Sequence, residues 1–293
     1  MNVIELFRND LWNGIWQHAK RLMQPMLMPT IITVLLNSAV LYLAYLIIKP
    51  MLPPEVFEAG AISSPEEITE LMALVIQSIT ENQWLFMGKM FIVTVLMAAV
   101  TAWYYNAGLQ ISKQTVENND ESFSPTLSNS FGDSFIRMLG FALIMAVAST
   151  IASVINNAVQ SITPGLAFLV NIVIQIFILR FFAGRAWIVM GDQTVVDGLK
   201  LSWENITFVR ALKLFLIFLV GGIAIALALG LIFGLSMFLG KAGIVIFMVV
   251  MLLVMYIVSV VGISGLSASF YRYVEVEYET STTADEHIID SED

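Results

Sequence analysis

The fold class this sequence predicts is an all-α membrane protein: six transmembrane helices in three hairpins, each hairpin preceded by an interfacial amphipathic helix. Three observations predict it. The chain is too apolar for water, it contains six apolar runs of helix length, and its basic residues favour alternate run ends.

Apolar residues make up 58% of the 293 residues and charged residues only 13%, against roughly half and a quarter in ordinary globular chains. In water such a chain would expose large contiguous apolar patches, and hydrocarbon removes that penalty. The six runs lie near 29–49, 86–108, 138–159, 164–187, 211–238 and 242–270. A bilayer core about 30 Å thick takes about 20 helical residues. Runs of this kind are helical because every backbone group must find its partner within its own segment. The last two exceed the core, which implies tilt or a cytoplasmic extension.

Lysine and arginine near the run ends set orientation. With the N-terminus inside, Arg8, Lys20, Arg21, Lys113, Arg137, Arg180, Arg185, Lys200, Arg210, Lys213 and Arg272 fall on the cytoplasmic side. Only Lys49, Lys89 and Lys241 fall outside. Both termini are therefore expected in the cytoplasm. The first twenty residues carry Glu5, Asp10, Trp12 and Trp16 with no short apolar core, so no cleaved signal peptide is expected and the first span acts as its own insertion signal.

From the N-terminus, residues 3–24, 122–137 and 194–209 share a layout, each ahead of a hairpin. Apolar residues match at four-residue steps: Phe7, Leu11 and Ile15; Phe123, Leu127 and Phe131; Val195, Leu199 and Trp203. A small residue precedes each third member (Gly14, Ser130, Ser202), and a basic residue follows (Arg21, Arg137, Arg210). Such steps place the apolar groups on one helical face. Asn2 with Glu5, and Thr194 with Asp197, resemble capping boxes. Ser124 before Pro125 reads as a cap with proline at the first helical position. These segments read as helices lying on the inner membrane surface, opening pseudo-repeats of about 3–110, 122–190 and 194–272. Chance matching in an apolar-rich chain is the alternative.

The first outer connection, 50–85, is long and acidic, with Glu55, Glu58, Glu66, Glu67, Glu70 and Glu81. Within it, Ser64-Pro65-Glu66-Glu67 opens a helix whose apolar positions Ile68, Leu71, Met72, Val75, Ile76 and Ile79 follow helical spacing. The other two outer turns are tight, at Ser161–Gly165 and near Gly240. The six-helix domain ends near 275. Residues 276–293 are polar and acidic without periodicity and are expected to form a disordered cytoplasmic tail.

The segment Thr194-Val-Val-Asp-Gly-Leu-Lys-Leu-Ser-Trp-Glu-Asn-Ile-Thr-Phe, followed by a span, resembles a family of bacterial inner-membrane proteins. That family is related to the membrane domain attached to some glycerophosphoryl diester phosphodiesterases. Ser122-Phe-Ser-Pro-Thr-Leu127 resembles a second unit of the same kind. The resemblance covers most of 1–275 by layout and about thirty residues by motif. It implies a six-helix module of poorly defined activity in a bacterial inner (cytoplasmic) membrane. The first unit, with Gly14-Ile15 and the long outer loop, departs from the family's compact form. The chain carries no phosphodiesterase domain, so that activity does not transfer.

Chemistry is sparse. Absence of cysteine excludes disulfides and thiolate sites, and His18 and His287 are the only histidines. A multi-histidine metal centre is excluded by that count, and no cofactor is expected. His18 is placed on a surface helix, out of reach of the membrane interior. Gly262-Ile263-Ser264-Gly265 resembles the nucleophile motif of rhomboid-type intramembrane proteases, but no span carries the histidine base such a serine needs. Close helix packing is the simpler reading for Gly262 and Gly265, and likewise for Gly230 and Gly234. On that reading Gly234→Leu separates the fifth and sixth spans.

Asn171 and Gln175 share one face of the fourth span, as a polar path or as bonds to neighbouring helices. No carboxylate lies near the middle of a span, which disfavours ion-coupled transport. Arg180, Arg185, Lys200 and Arg210 are candidate lipid-headgroup contacts, with snorkelling alone as the alternative for Arg180. The net charge of −9 is concentrated in the outer loop and tail, and without a basic stripe nucleic acid is not an expected partner. Membrane lipids are the expected partners, together with a membrane-protein partner or a homo-oligomer. The function expected is a non-enzymatic scaffold or accessory protein. The alternative is an uncoupled transporter or channel for a small or lipidic solute.

Overall fold

The computed structural model describes residues 10–52, 65–118, 131–237 and 240–289, together with Phe7 and Leu127. Among these residues the regular structure is helical, without strands. The helices are α1 (Leu11–Met23), α2 (Leu27–Ile48), α3 (Pro65–Glu81), α4 (Gln83–Glu117) and α5 (Asp133–Ile162). There follow α6 (Pro164–Arg180), α7 (Gly184–Met190), α8 (Val195–Asn205), α9 (Phe208–Met237) and α10 (Gly240–Ile289). Six stretches are long and apolar enough to cross a membrane: Leu27–Met51, Gln83–Glu117, Asp133–Ser161, Gly165–Met190, Phe208–Gly234 and Ala242–Arg272. By length and composition, then, this is a multi-pass integral membrane protein.

Local chemistry sets the boundaries. The Asp10 side chain accepts from Asn13 N at 3.2 Å and opens α1. The sequence-predicted Asn2–Glu5 cap, and the Ser124–Pro125 cap, lie outside the described residues. Pro25 follows α1 and α2 begins two residues later. Pro65 opens α3, where the outer-loop spacing predicts a helix. Thr163 is extended and Pro164 takes the first position of α6, which makes a tight turn between α5 and α6. Gly240 starts α10 at a φ of +58°, a conformation that suits glycine.

Two segments differ from expectation. The fourth span is interrupted at residues 181–183, between α6 and α7. The Ser202 hydroxyl donates to the Arg180 carbonyl at 2.6 Å, so that carbonyl finds its partner on α8. The second difference is the acidic tail, which is helical as far as Ile289. Extending a helix already nucleated in the membrane adds one hydrogen bond per residue without a new nucleation cost.

The chain divides into two compact units, 31–101 and a second made of 1–30 with 102–293. In the first, Val40 and Ala44 of α2 pack with Val93 and Val100 of α4. Lys89 Nζ donates to the Ile47 carbonyl at 3.0 Å, and Ser78 donates to the Met51 carbonyl, which ties down the end of α2. In the larger unit, the core joins Ala19, Leu22 and Met26 to Leu109 and Ile111 of α4 and Met138 and Phe141 of α5. Trp187 and Ile188 of α7 and Val260, Ile263 and Leu266 of α10 complete it. A small cluster beside it sets Phe7, Leu11 and Ile15 on Val116, Ala268 and Tyr271.

Candidate functional site

The densest polar chemistry in the larger unit lies where α1 docks against α4 and α10. At helical spacing Gly14, His18 and Leu22 form the buried face of α1. His18 Nε2 lies 2.7 Å from Ser112 Oγ, and Ser112 Oγ lies 2.6 Å from Ser267 Oγ. Ser267 donates onward to the Ile263 carbonyl. All three side chains are fully buried. The Phe7 ring meets the imidazole edge-on at 5.5 Å. Burial, and then the nearby Arg21 charge, push the His18 pKa down from 6.5 to about 3, so the imidazole is neutral. Two further bonds hold α1 to α10: Ser264 Oγ donates to the Ile15 carbonyl at 2.7 Å, and the Tyr256 hydroxyl donates to the Met23 carbonyl.

This corrects the expectation for His18. It sits inside the unit, bonded across 94 sequence positions, and not on an outer surface. The imidazole–hydroxyl contact has the distance of an activated nucleophile. Its surroundings do not suit that role, because His18 Nδ1 has no hydrogen-bond partner among the described residues and Ser112 is sealed from solvent. Ser264 is bonded to a backbone carbonyl of α1 and not to an imidazole.

A second constellation surrounds α8. The Thr194 hydroxyl accepts from Asp197 N at 3.2 Å and donates to the Asp197 carboxylate at 2.6 Å, as the sequence predicts for this helix start. At the other end, Arg180 Nε donates to the Ile206 carbonyl at 2.8 Å and Nη2 to the Trp203 carbonyl at 2.7 Å. Arg210 Nη1 donates to the Asn205 carbonyl at 2.8 Å. Two guanidinium groups thus converge on the negative end of one helix. The Arg180 guanidinium lies 3.3 Å from the centre of the Trp203 ring, which itself stacks on Phe177 and Phe181. Between α7 and α8, Asp192 adopts φ +54° and forms an ion pair with Arg137. Arg137 also donates to the carbonyls of Asp192 and Gln193, and Lys113 donates to that of Met190.

The four candidate headgroup cations therefore do not form one group. Arg180 and Arg210 meet at the end of α8, and Lys200 is exposed on α8 itself. Arg185 is elsewhere, half-buried among Tyr105, Phe182 and Phe141, with its guanidinium 4.1, 5.1 and 5.6 Å from the ring centres. Asn171 and Gln175 lie on an exposed face of α6 and bond each other at 3.5 Å, so they do not link α6 to a neighbouring helix.

The glycines also require correction. A Cβ added at Gly230, Gly234, Gly262 or Gly265 would meet nothing within 4 Å. α9 and α10 do pack together, but these four positions do not create the approach. Close backbone approach occurs instead at Gly184 and Gly198, where a Cβ on either would lie 3.1 Å from the other's carbonyl oxygen. Gly108 is equally tight, with its missing Cβ lying against Ile263.

The chain matches no family model, no curated protein and no solved structure. Sequence reasoning missed the His18–Ser112–Ser267 contact because it ended the second span near 108, whereas α4 runs to Glu117. Leu109, Ser112 and Val116 follow helical spacing through that polar stretch, and all three are buried.

Proposed function

We propose that the chain is a membrane scaffold or accessory module without catalytic activity of its own, seated in a bacterial inner membrane with both termini in the cytoplasm. In this reading α1 and α8 are interfacial helices that open the first and third of three pseudo-repeats; the start of the second lies outside the described residues. Membrane lipids are the main partners, with Lys200, Arg210 and the Trp203-stacked Arg180 nearest the phosphates. The observation that carries the reading is the docking of α1: imidazole, hydroxyl and carbonyl groups at the α1 end bond one another within a dry contact between three helices. Such an arrangement holds helices in fixed register.

Transport remains a second reading because Asn171 and Gln175 share an exposed face of α6. Reconstitution into liposomes loaded with small ions and zwitterions separates the two. The scaffold reading expects efflux equal to that of protein-free vesicles. Saturable efflux lost in Asn171→Leu/Gln175→Leu would overturn it. Orientation is tested in parallel with single cysteines near each terminus, since the chain has no cysteine of its own. Labelling of both termini from one side is expected.

A further inference from the structure

Arg137, Lys113, Arg180 and Arg210 all have oxygen partners. Arg137 pairs with Asp192, Lys113 donates to the Met190 carbonyl, and Arg180 and Arg210 cap α8. Arg185 differs. Among the described residues no carboxylate pairs with it and no backbone carbonyl accepts from it. The Tyr105 hydroxyl is the oxygen beside it. Its other surroundings are aromatic: the rings of Tyr105, Phe182 and Phe141 lie around the guanidinium, the first with its centre 4.1 Å away. Arg185 is half-buried, so the rings do not close over it.

Three helices agree on the depth of this group. The apolar run of the second span ends near 108 and that of the third begins near 138, so Tyr105 and Phe141 each lie about one turn inside the inner end. Arg185 itself lies just before Met190, the last residue of the fourth span. Arg137, one turn before Phe141 on α5, already meets the exposed Asp192. The guanidinium therefore sits at the inner edge of the hydrocarbon, next to the layer of lipid phosphates.

We propose that Arg185 is a phosphate-oxyanion site, filled by the headgroup phosphate of an anionic lipid of the inner leaflet. The inference rests on the membrane reading and deepens it by naming the cation that takes a specific lipid. A charge at membrane depth is costly until it finds a partner. Ring faces attract a cation, but they carry no countercharge and cannot accept the paired N–H bonds that a guanidinium offers. A phosphate accepts two of them in parallel. A free phosphate would have to leave water to reach a site walled by Phe141 and Phe182. A lipid phosphate arrives attached to chains that pack on such walls.

The first test uses the unaltered full chain in detergent and reads phenylglyoxal modification of Arg185 by peptide mass mapping. Phosphatidylglycerol should slow modification roughly fivefold, phosphatidylcholine less, and inorganic phosphate not at all. Equal rates with and without phosphatidylglycerol would overturn the site. Protection by inorganic phosphate alone would overturn the lipid source. A second arm compares Arg185→Gln with Lys213→Gln, which removes an exposed charge of the same sign. Phosphatidylglycerol retained in native mass spectrometry should fall in the first variant and hold in the second, and equal retention in the two would overturn the proposal. Because the first test alters no residue, a misfolded Arg185→Gln protein cannot decide the outcome. Solute efflux in the vesicle assay would remove the scaffold reading while leaving this site standing, so the two failures are distinguishable.

Discussion

The His18 imidazole and the Ser112 hydroxyl meet at 2.7 Å with neither exposed, and they join the first described helix to the end of α4. Ser267 of α10 completes the contact. Because His18 is neutral with a pKa near 3, the folded protein binds fewer protons than the unfolded chain between that value and 6.5. Stability contributed by this site is therefore complete above pH 6.5 and is lost as pH falls toward 3. Thermal unfolding in detergent is expected to be flat above pH 7 and to decline below 6.5. His18→Gln should remove the part of the decline between pH 6.5 and 5, above the carboxylate range. Identical pH profiles for the two proteins would contradict this.

Arg180 combines two carbonyl bonds with stacking on Trp203. A lysine offers a point charge and cannot reproduce the planar fork. Arg180→Lys should cost about 1–3 kcal/mol, and Arg180→Gln a similar amount. Chemical denaturation or a melting shift in detergent reads this directly. Full retention of stability in Arg180→Lys would show that charge alone suffices.

Asp192 carries two separable properties, a left-handed backbone and a carboxylate that Arg137 holds below its usual pKa range by hydrogen bonding and charge. Asparagine tolerates the backbone and lacks the charge, whereas alanine lacks both. Asp192→Ala is expected to be less stable than Asp192→Asn by about 1 kcal/mol. The depressed carboxyl makes a contribution present above its ordinary pKa and lost as pH falls through the folded value. Because Asp192 is exposed, that contribution is expected to shrink in high salt.

The glycine contacts give a paired comparison. Gly198→Val would drive side-chain atoms into Ile188 and the Gly184 carbonyl, and overpacking of this kind costs about 1–3 kcal/mol. Gly234→Leu enters open space and is expected to leave the melting temperature and the α9–α10 contact unchanged. Crosslinking between cysteines placed on α9 and α10 measures the second outcome.

The number of apolar spans and their approximate positions were legible because hydrocarbon imposes a length and an apolar composition that single residues report independently. The α8 start was legible for a local reason, since Thr194 and Asp197 are three residues apart and bond each other. The His18 contact was not, because its partners lie 94 and 249 positions away and serine is as common on surfaces as in helix contacts. Gly230 and Gly234 misled because small-residue spacing gives a motif without saying which side of the helix a neighbour occupies. Arg185 was legible as a cation near a span end, while its aromatic surroundings come from three other stretches of chain: Tyr105, Phe141 and Phe182.

The bonds from Met23 to Tyr256 and from Ile15 to Ser264 close α1 onto α10, more than 200 residues later in the sequence. During synthesis the N-terminal helix emerges long before the surface that receives it. Until α10 has been made, Leu22 and the imidazole of His18 lack part of their seat, and the contact latches shut only when that span has been delivered to the bilayer. Loss of the C-terminal span would thus be felt first at the opposite end of the polypeptide, as an N-terminal helix released from its dock.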